Sequence, residues 1–98
     1  MEIIRGQGRL THPETREGLA KVSYVINNRP PTNMRLGEWS GNLVVRRKYN
    51  QSWDLFNELG NDMKLELDDG RSGKIIVTNW SPVPSDSPAR FVGNGALE

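Results

Sequence analysis

Met63-Lys64-Leu65-Glu66-Leu67-Asp68-Asp69-Gly70-Arg71-Ser72-Gly73-Lys74-Ile75-Ile76-Val77-Thr78-Asn79-Trp80 is the stretch that decides the fold. Leu65 and Leu67 alternate with Lys64, Glu66 and Asp68, the two-residue period of a half-buried strand. Asp69-Gly70 is a hairpin signal, because both residue types tolerate a positive φ. Lys74 to Thr78 is rich in β-branched residues and reads as the return strand. A strict two-residue loop sets Leu65 opposite Lys74 and Leu67 opposite Ser72, which leaves the apolar face without a partner. One extra residue at Ser72-Gly73 sets Leu65 opposite Ile75, Met63 opposite Val77 and Glu66 opposite Lys74. A one-residue slip exchanges the two faces, so the apolar set selects this second register. Gly73 is then expected to mark a bulge.

The same register puts Ile76, Thr78 and Trp80 on one outward face. Left uncovered, Ile76 and Trp80 form an apolar strip, and such strips mark association surfaces. The first functional expectation is therefore a non-catalytic binding module. Its partner is a protein or a second copy of itself in a homodimer, and its partner-binding residues are Ile76, Thr78 and Trp80. The proline-rich loop Ser81 to Pro88 borders the strip.

Outward from the hairpin, Glu2 to Thr11 reads as a first strand carrying Ile3, Ile4 and Leu10. Gly6 and Gly8 interrupt it and are expected to mark a bulge or barrel corner. His12 to Gly18 is a polar turn. In Leu19 to Asn27, Val22, Tyr24 and Ile26 alternate with Lys21, Ser23 and Val25, a second strand. Pro30 and Pro31 end it. Met34 to Trp39 is a third strand, Ser40-Gly41-Asn42 a turn and Leu43 to Tyr49 a fourth strand. Ser52 to Leu59 is the only helical pattern: Ser52 fits an N-cap, Gly60 fits the stop, and Trp53 and Phe56 are expected to plug one end of a barrel. After the hairpin, Ser81 to Ala89 is a loop with Pro82, Pro84 and Pro88, and Arg90 to Val92 is a short last strand. The sum is an all-β fold with one short helix, a small antiparallel barrel or sandwich of about six strands.

Residues 1–96 read as a single small β domain, and Leu97-Glu98 as a remnant of an expression tag. Hydrophobic residues make up 35% of 98, so the core is thin. A chain this short buries only about 65% of its unfolded surface. Barrel closure or dimerisation would remove the exposed sheet edges. There is no cysteine, which excludes disulfide frameworks and thiolate metal sites and suits a reducing compartment. The first residues lack the apolar core of a signal peptide, and no aliphatic run is long enough to span a membrane. A cytoplasmic protein with no membrane partner is the expectation.

Candidate chemistry is sparse. His12, the one histidine, sits in a Thr-His-Pro-Glu turn with Glu14 beside it and no third ligand. Asp68 and Asp69 are adjacent carboxylates at a hairpin tip, where no cleft perturbs them. Asp62, Asp68 and Asp69 lack the spacing of a calcium loop. The sequence thus names no catalytic residue, no metal site and no cofactor. An enzyme would need a pocket that the pattern does not disclose. The densest basic run is Arg46, Arg47 and Lys48, with Tyr49 next to it. Cations for phosphates beside a ring for bases is how an oligonucleotide-binding barrel tracks a single strand, so single-stranded nucleic acid is the alternative partner. Net charge is only +1, because 13 basic residues meet 12 acidic ones, and it does not by itself point to a polyanion.

Overall fold

The computed structural model describes residues 2–34, 37–80 and 87–98. Its strands are β1 (Glu2–Thr11), β2 (Gly18–Arg29), β3 (Glu38–Lys48), β4 (Asp62–Leu67), β5 (Ser72–Asn79) and β6 (Ala89–Asn94), with one 3₁₀ turn at Leu55–Glu58. All pairs are antiparallel, the order around the barrel is β1-β2-β3-β6-β5-β4, and β4 returns to β1 over Gly8–Thr11. The all-β expectation holds, in its barrel form. Alternate residues fill the interior: Leu10, Val22, Ile26, Leu43, Met63, Leu65, Ile75, Val77 and Phe91 are buried. Among the described residues no helix is long and apolar enough to cross a membrane.

The deciding hairpin has a different register from the one expected. Leu65 pairs with Gly73 and Met63 with Ile75. The loop is Asp68-Asp69-Gly70. Gly70 N–H donates to the Leu67 carbonyl at 3.3 Å, Leu67 N–H donates to the Arg71 carbonyl at 2.8 Å, and Gly70 has φ +95°. This is a three-residue hairpin loop closed by a left-handed glycine. The extra residue therefore sits in the turn, at Gly70, and Gly73 is not a bulge. The faces are nevertheless as expected, with Leu65 and Ile75 inside. Two-residue periodicity fixes which side a residue faces and is blind to a shift of two.

Three more expectations are corrected. Ser40-Gly41-Asn42 is not a turn, since β3 runs unbroken through it and the third and fourth expected strands are one. Gly41 is there because a Cβ would collide with the Val25 carbonyl. Of the expected Met34–Trp39 strand, Met34 lies in a turn, Arg35 and Leu36 fall outside the described residues, and only Glu38 and Trp39 are strand. Gly6 and Gly8 are in regular ladder, and the β1–β2 register shifts only at Leu10/Thr11, where Leu19 is the extra residue on β2. Their role is space: a Cβ on Gly6 would stand 2.8 Å from both the Tyr24 hydroxyl and an Asp68 carboxylate oxygen. Of the loop Ser81 to Ala89, Ser81 to Asp86, with Pro82 and Pro84, lie outside the described residues, and Ala89 begins β6.

The expected helix shrinks to Leu55–Glu58. Asp54, not Ser52, is the N-cap, accepting from the Phe56 N–H at 3.0 Å, while the Ser52 hydroxyl turns to Asn50 Oδ1 at 2.7 Å. Leu55 is the plug at 1% exposure and Phe56 faces out at 53%. Trp53 packs half-buried against the core as expected.

Candidate nucleic-acid interface

Three register shifts gather at one end of the barrel; beside the one at Leu19, two bulges bear on the candidate residues. Val22 pairs with Val45 and Lys21 with Arg47, so Arg46 is the extra residue on β3. Val77 pairs with Phe91 and Asn79 with Arg90, so Thr78 is the extra residue on β5. Strands β3 and β5 are both antiparallel to β6, so they run the same way and both bulges lie toward the same end. A bulge re-aims the side chains that follow it.

On β5 the bulge changes which way the residues of the expected strip face. Ile76 points outward opposite Val92, and Thr78 is exposed with its hydroxyl on the Arg90 carbonyl at 3.3 Å. Past the bulge Asn79 takes the outward position, and Trp80 turns in, half-buried against the core. Its indole N–H donates to the Ser87 carbonyl at 3.1 Å. Ile76, Thr78 and Trp80 do not form one continuous outward surface.

On β3 the bulge has the opposite effect. It keeps Arg46 and Arg47 both exposed, in succession, where a regular strand would turn one of them inward. Arg46 Nε donates to Ser23 Oγ at 3.0 Å, which lays the guanidinium along β2. Lys48 pairs with inward-facing Ala20 and so reaches the barrel mouth. Tyr49 follows, 49% exposed, with its ring over Gly18, where a Cβ would stand 3.0 and 3.1 Å from two ring carbons.

Register then adds residues the sequence reading missed. Arg9 pairs with Lys21, and Lys21 with Arg47, a cross-strand row of three cations over β1, β2 and β3. Arg5 lies two positions along the same face. Between Ile3 and Arg9, Lys21 and Asn27, and Ser40 and Arg47, the outward positions carry no acidic residue. Glu66 of β4 pairs with Arg9, Nε to Oε1 at 2.7 Å. Among the described residues Arg5, Lys21, Arg46 and Arg47 form no ion pair. Other carboxylates lie outside that stretch: Glu2 and Glu38 at the far ends of β1 and β3, where they meet Arg71 and Arg29, Glu14 and Glu17 in the β1–β2 turn, Asp54, Glu58 and Asp62 before and at β4, and Asp68 and Asp69 at the hairpin tip. The middle of this face is therefore cationic although the net charge is near zero. Lys21 showed in the sequence as an outward residue of its strand. Its alignment with Arg9 and Arg47 needed the register, which periodicity does not supply.

The residues weighed for other chemistry are engaged locally. His12 Nδ1 accepts the backbone N–H of Glu14 at 3.2 Å and of Thr15 at 3.3 Å, closing the turn. Asp68 accepts the Tyr24 hydroxyl at 3.0 Å and the Gln7 N–H at 3.3 Å, so it seals the gap beside Gly6. Burial pushes the Tyr24 hydroxyl above its ordinary pKa; the Asp68 backbone N–H opposes this and the Asp68 carboxylate adds to it. Asp69 is clasped by Arg71, whose hydrogen bonds hold its carboxyl below the ordinary value. Among the described residues no three His, Asp or Glu side chains gather into a metal site. Compared with known protein families, with curated proteins and with solved structures, the chain matches none.

Proposed function

We propose that the protein binds single-stranded nucleic acid on the outward face of β1, β2 and β3. The observation that carries this reading is the Arg9–Lys21–Arg47 row with bulged Arg46 beside it. Like charges directly opposite each other on a sheet destabilise it. One carboxylate, Glu66, relieves the row at one end only. A bound chain of phosphates would relieve it along its whole length, and counterion release would drive association. Exposed Tyr49 at the end of the run offers a ring for a base.

The test is fluorescence anisotropy of a labelled single-stranded oligonucleotide over a range of salt. The expected result is salt-dependent binding that Arg46→Ala/Arg47→Ala weakens by at least roughly tenfold, about the worth of two charge-assisted contacts. The slope of log affinity against log salt should flatten by roughly 0.7 per lost phosphate contact. Binding indifferent to salt, or unchanged in the double variant, overturns the reading.

Contact with a protein partner or a second copy is the second reading. What supports it is the outward Ile76–Val92 pair, with Val92 39% exposed. Light scattering that shows a dimer dissociated by Ile76→Arg would favour it.

A further inference from the structure

A cavity of about 90 Å3 opens at the bulged end between Val45, Lys48, Trp53, Asp54, Leu55 and Trp80. The geometry points to this cavity as a base subsite: it takes one unpaired nucleobase of the strand whose phosphates lie on Arg46 and Arg47. The inference rests on the proposed nucleic-acid reading and goes further, because phosphates alone would have no use for this cavity.

Three features fit a base. The first is size. A water needs about 10–15 Å3 of such space, so the cavity takes on the order of half a dozen waters, about the bulk of a pyrimidine ring. The second is the walls, where two indoles with Val45 and Leu55 suit a flat aromatic guest. The third is mixed polarity. Lys48 brings a further donor. Asp54 has one oxygen on the Phe56 N–H and a second for an exocyclic amine. A base edge presents acceptors and donors together; a phosphate presents acceptors only, and a carboxylate beside it would repel it.

Position supports the same assignment. Val45 and Lys48 flank the bulged arginine pair in the chain, so the cavity mouth and the cationic row share the end of β3. The Thr78 bulge that turns Trp80 inward provides the opposite side of the cavity.

The experiment compares three probes on the full chain at one salt concentration: a short mixed-sequence DNA single strand, the same strand made abasic throughout, and the duplex. Stacking of one base is worth about 1–3 kcal/mol, so the intact single strand should bind roughly 5- to 100-fold tighter than the other two and quench tryptophan fluorescence. Trp53→Ala removes one aromatic wall of the cavity; it should lower the ratio of intact to abasic affinity several-fold. Trp80→Ala should bring that ratio near one, and circular dichroism checks its fold. Equal binding of intact and abasic strands, both weakened by Arg46→Ala/Arg47→Ala, overturns the base subsite and leaves the cationic face standing. A base preference untouched by both tryptophan variants overturns the subsite too. Binding of none of the three probes removes the proposed function and the subsite with it.

Discussion

Tryptophan stoppers both ends of this barrel, and the two ends are built in opposite ways. At one end Trp39 is 5% exposed, its indole N–H donates to the Gly95 carbonyl at 2.9 Å, and it meets Phe91 edge-on at 6.0 Å. It lies over Gly93 and Gly73: a Cβ on Gly93 would collide with the ring, and one on Gly73 would stand 2.6 Å from it. The strand ladder around it is regular. The tail reinforces the seal, with Leu97 packed on the core and Ser72 and Glu98 exchanging backbone hydrogen bonds of 2.6 and 2.9 Å. At the other end three strands carry an extra residue, Trp53 and Trp80 are half-buried, one indole N–H is unpaired and a cavity remains. The first end is shaped to its ring; the second is not. Folds depart from their own local rules mostly where a site needs it, and the departures here gather beside the cationic row.

The largest expected effect tests that contrast directly. Trp39→Ala should cost about 3–5 kcal/mol in urea denaturation, the range for emptying a buried aromatic site. Trp53→Ala, whose ring already borders open space, should cost roughly half as much, because it loses less packed surface. Equal losses would mean that the two stoppers carry the same packing load and that the cavity is incidental.

A smaller effect belongs to the Trp39 half of the barrel, where Tyr24 fills the space left by Gly6 and Gly8. Tyr24→Phe removes the bond to Asp68 and should cost about 1 kcal/mol at neutral pH. The raised pKa adds a signature in base. The unfolded tyrosine ionises near pH 10, before the folded one does. Its contribution is full below about pH 10 and is lost as pH climbs toward the folded value, since the unfolded chain releases its proton first. The native chain should therefore lose stability through this interval more steeply than Tyr24→Phe. Parallel curves would show that the Tyr24–Asp68 pair does not titrate with folding.

Much of this was legible in the residues. Alternation in Lys21–Ile26 and Met63–Leu67 gave the faces, and Asp69-Gly70 gave the hairpin. What escaped has one cause. Pairing offsets and bulges are set by contacts between strands, and a single strand's pattern does not record them. Leu65 faces Gly73 because Gly70 takes the left-handed turn position. Gly73 itself reads as a bulge until the Trp39 ring is placed on it. The bulges at Arg46 and Thr78 decide which of Arg47, Lys48 and Trp80 face out, and nothing in Val45-Arg46-Arg47 or Val77-Thr78-Asn79 announces them. The candidate site was visible as a basic run, but its third dimension, Arg9 and Lys21 aligned on Arg47, was not.

The smallest effect is the sharpest comparison, because the same substitution should have opposite signs at the two ends. Trp39→Phe deletes a made hydrogen bond and should cost about 1 kcal/mol beyond the change in ring size. Trp53→Phe deletes a donor that is buried and unpaired. Such a group costs roughly 1–3 kcal/mol, so its removal should offset the smaller ring and leave stability unchanged or up to about 1 kcal/mol higher. The sign follows from the partner, not from the residue type, so the pair of variants measures hydrogen-bond satisfaction at each end with the chemistry of the substitution held constant. Losses of equal size would place an acceptor on the Trp53 N–H and show that both indoles are satisfied in the folded chain.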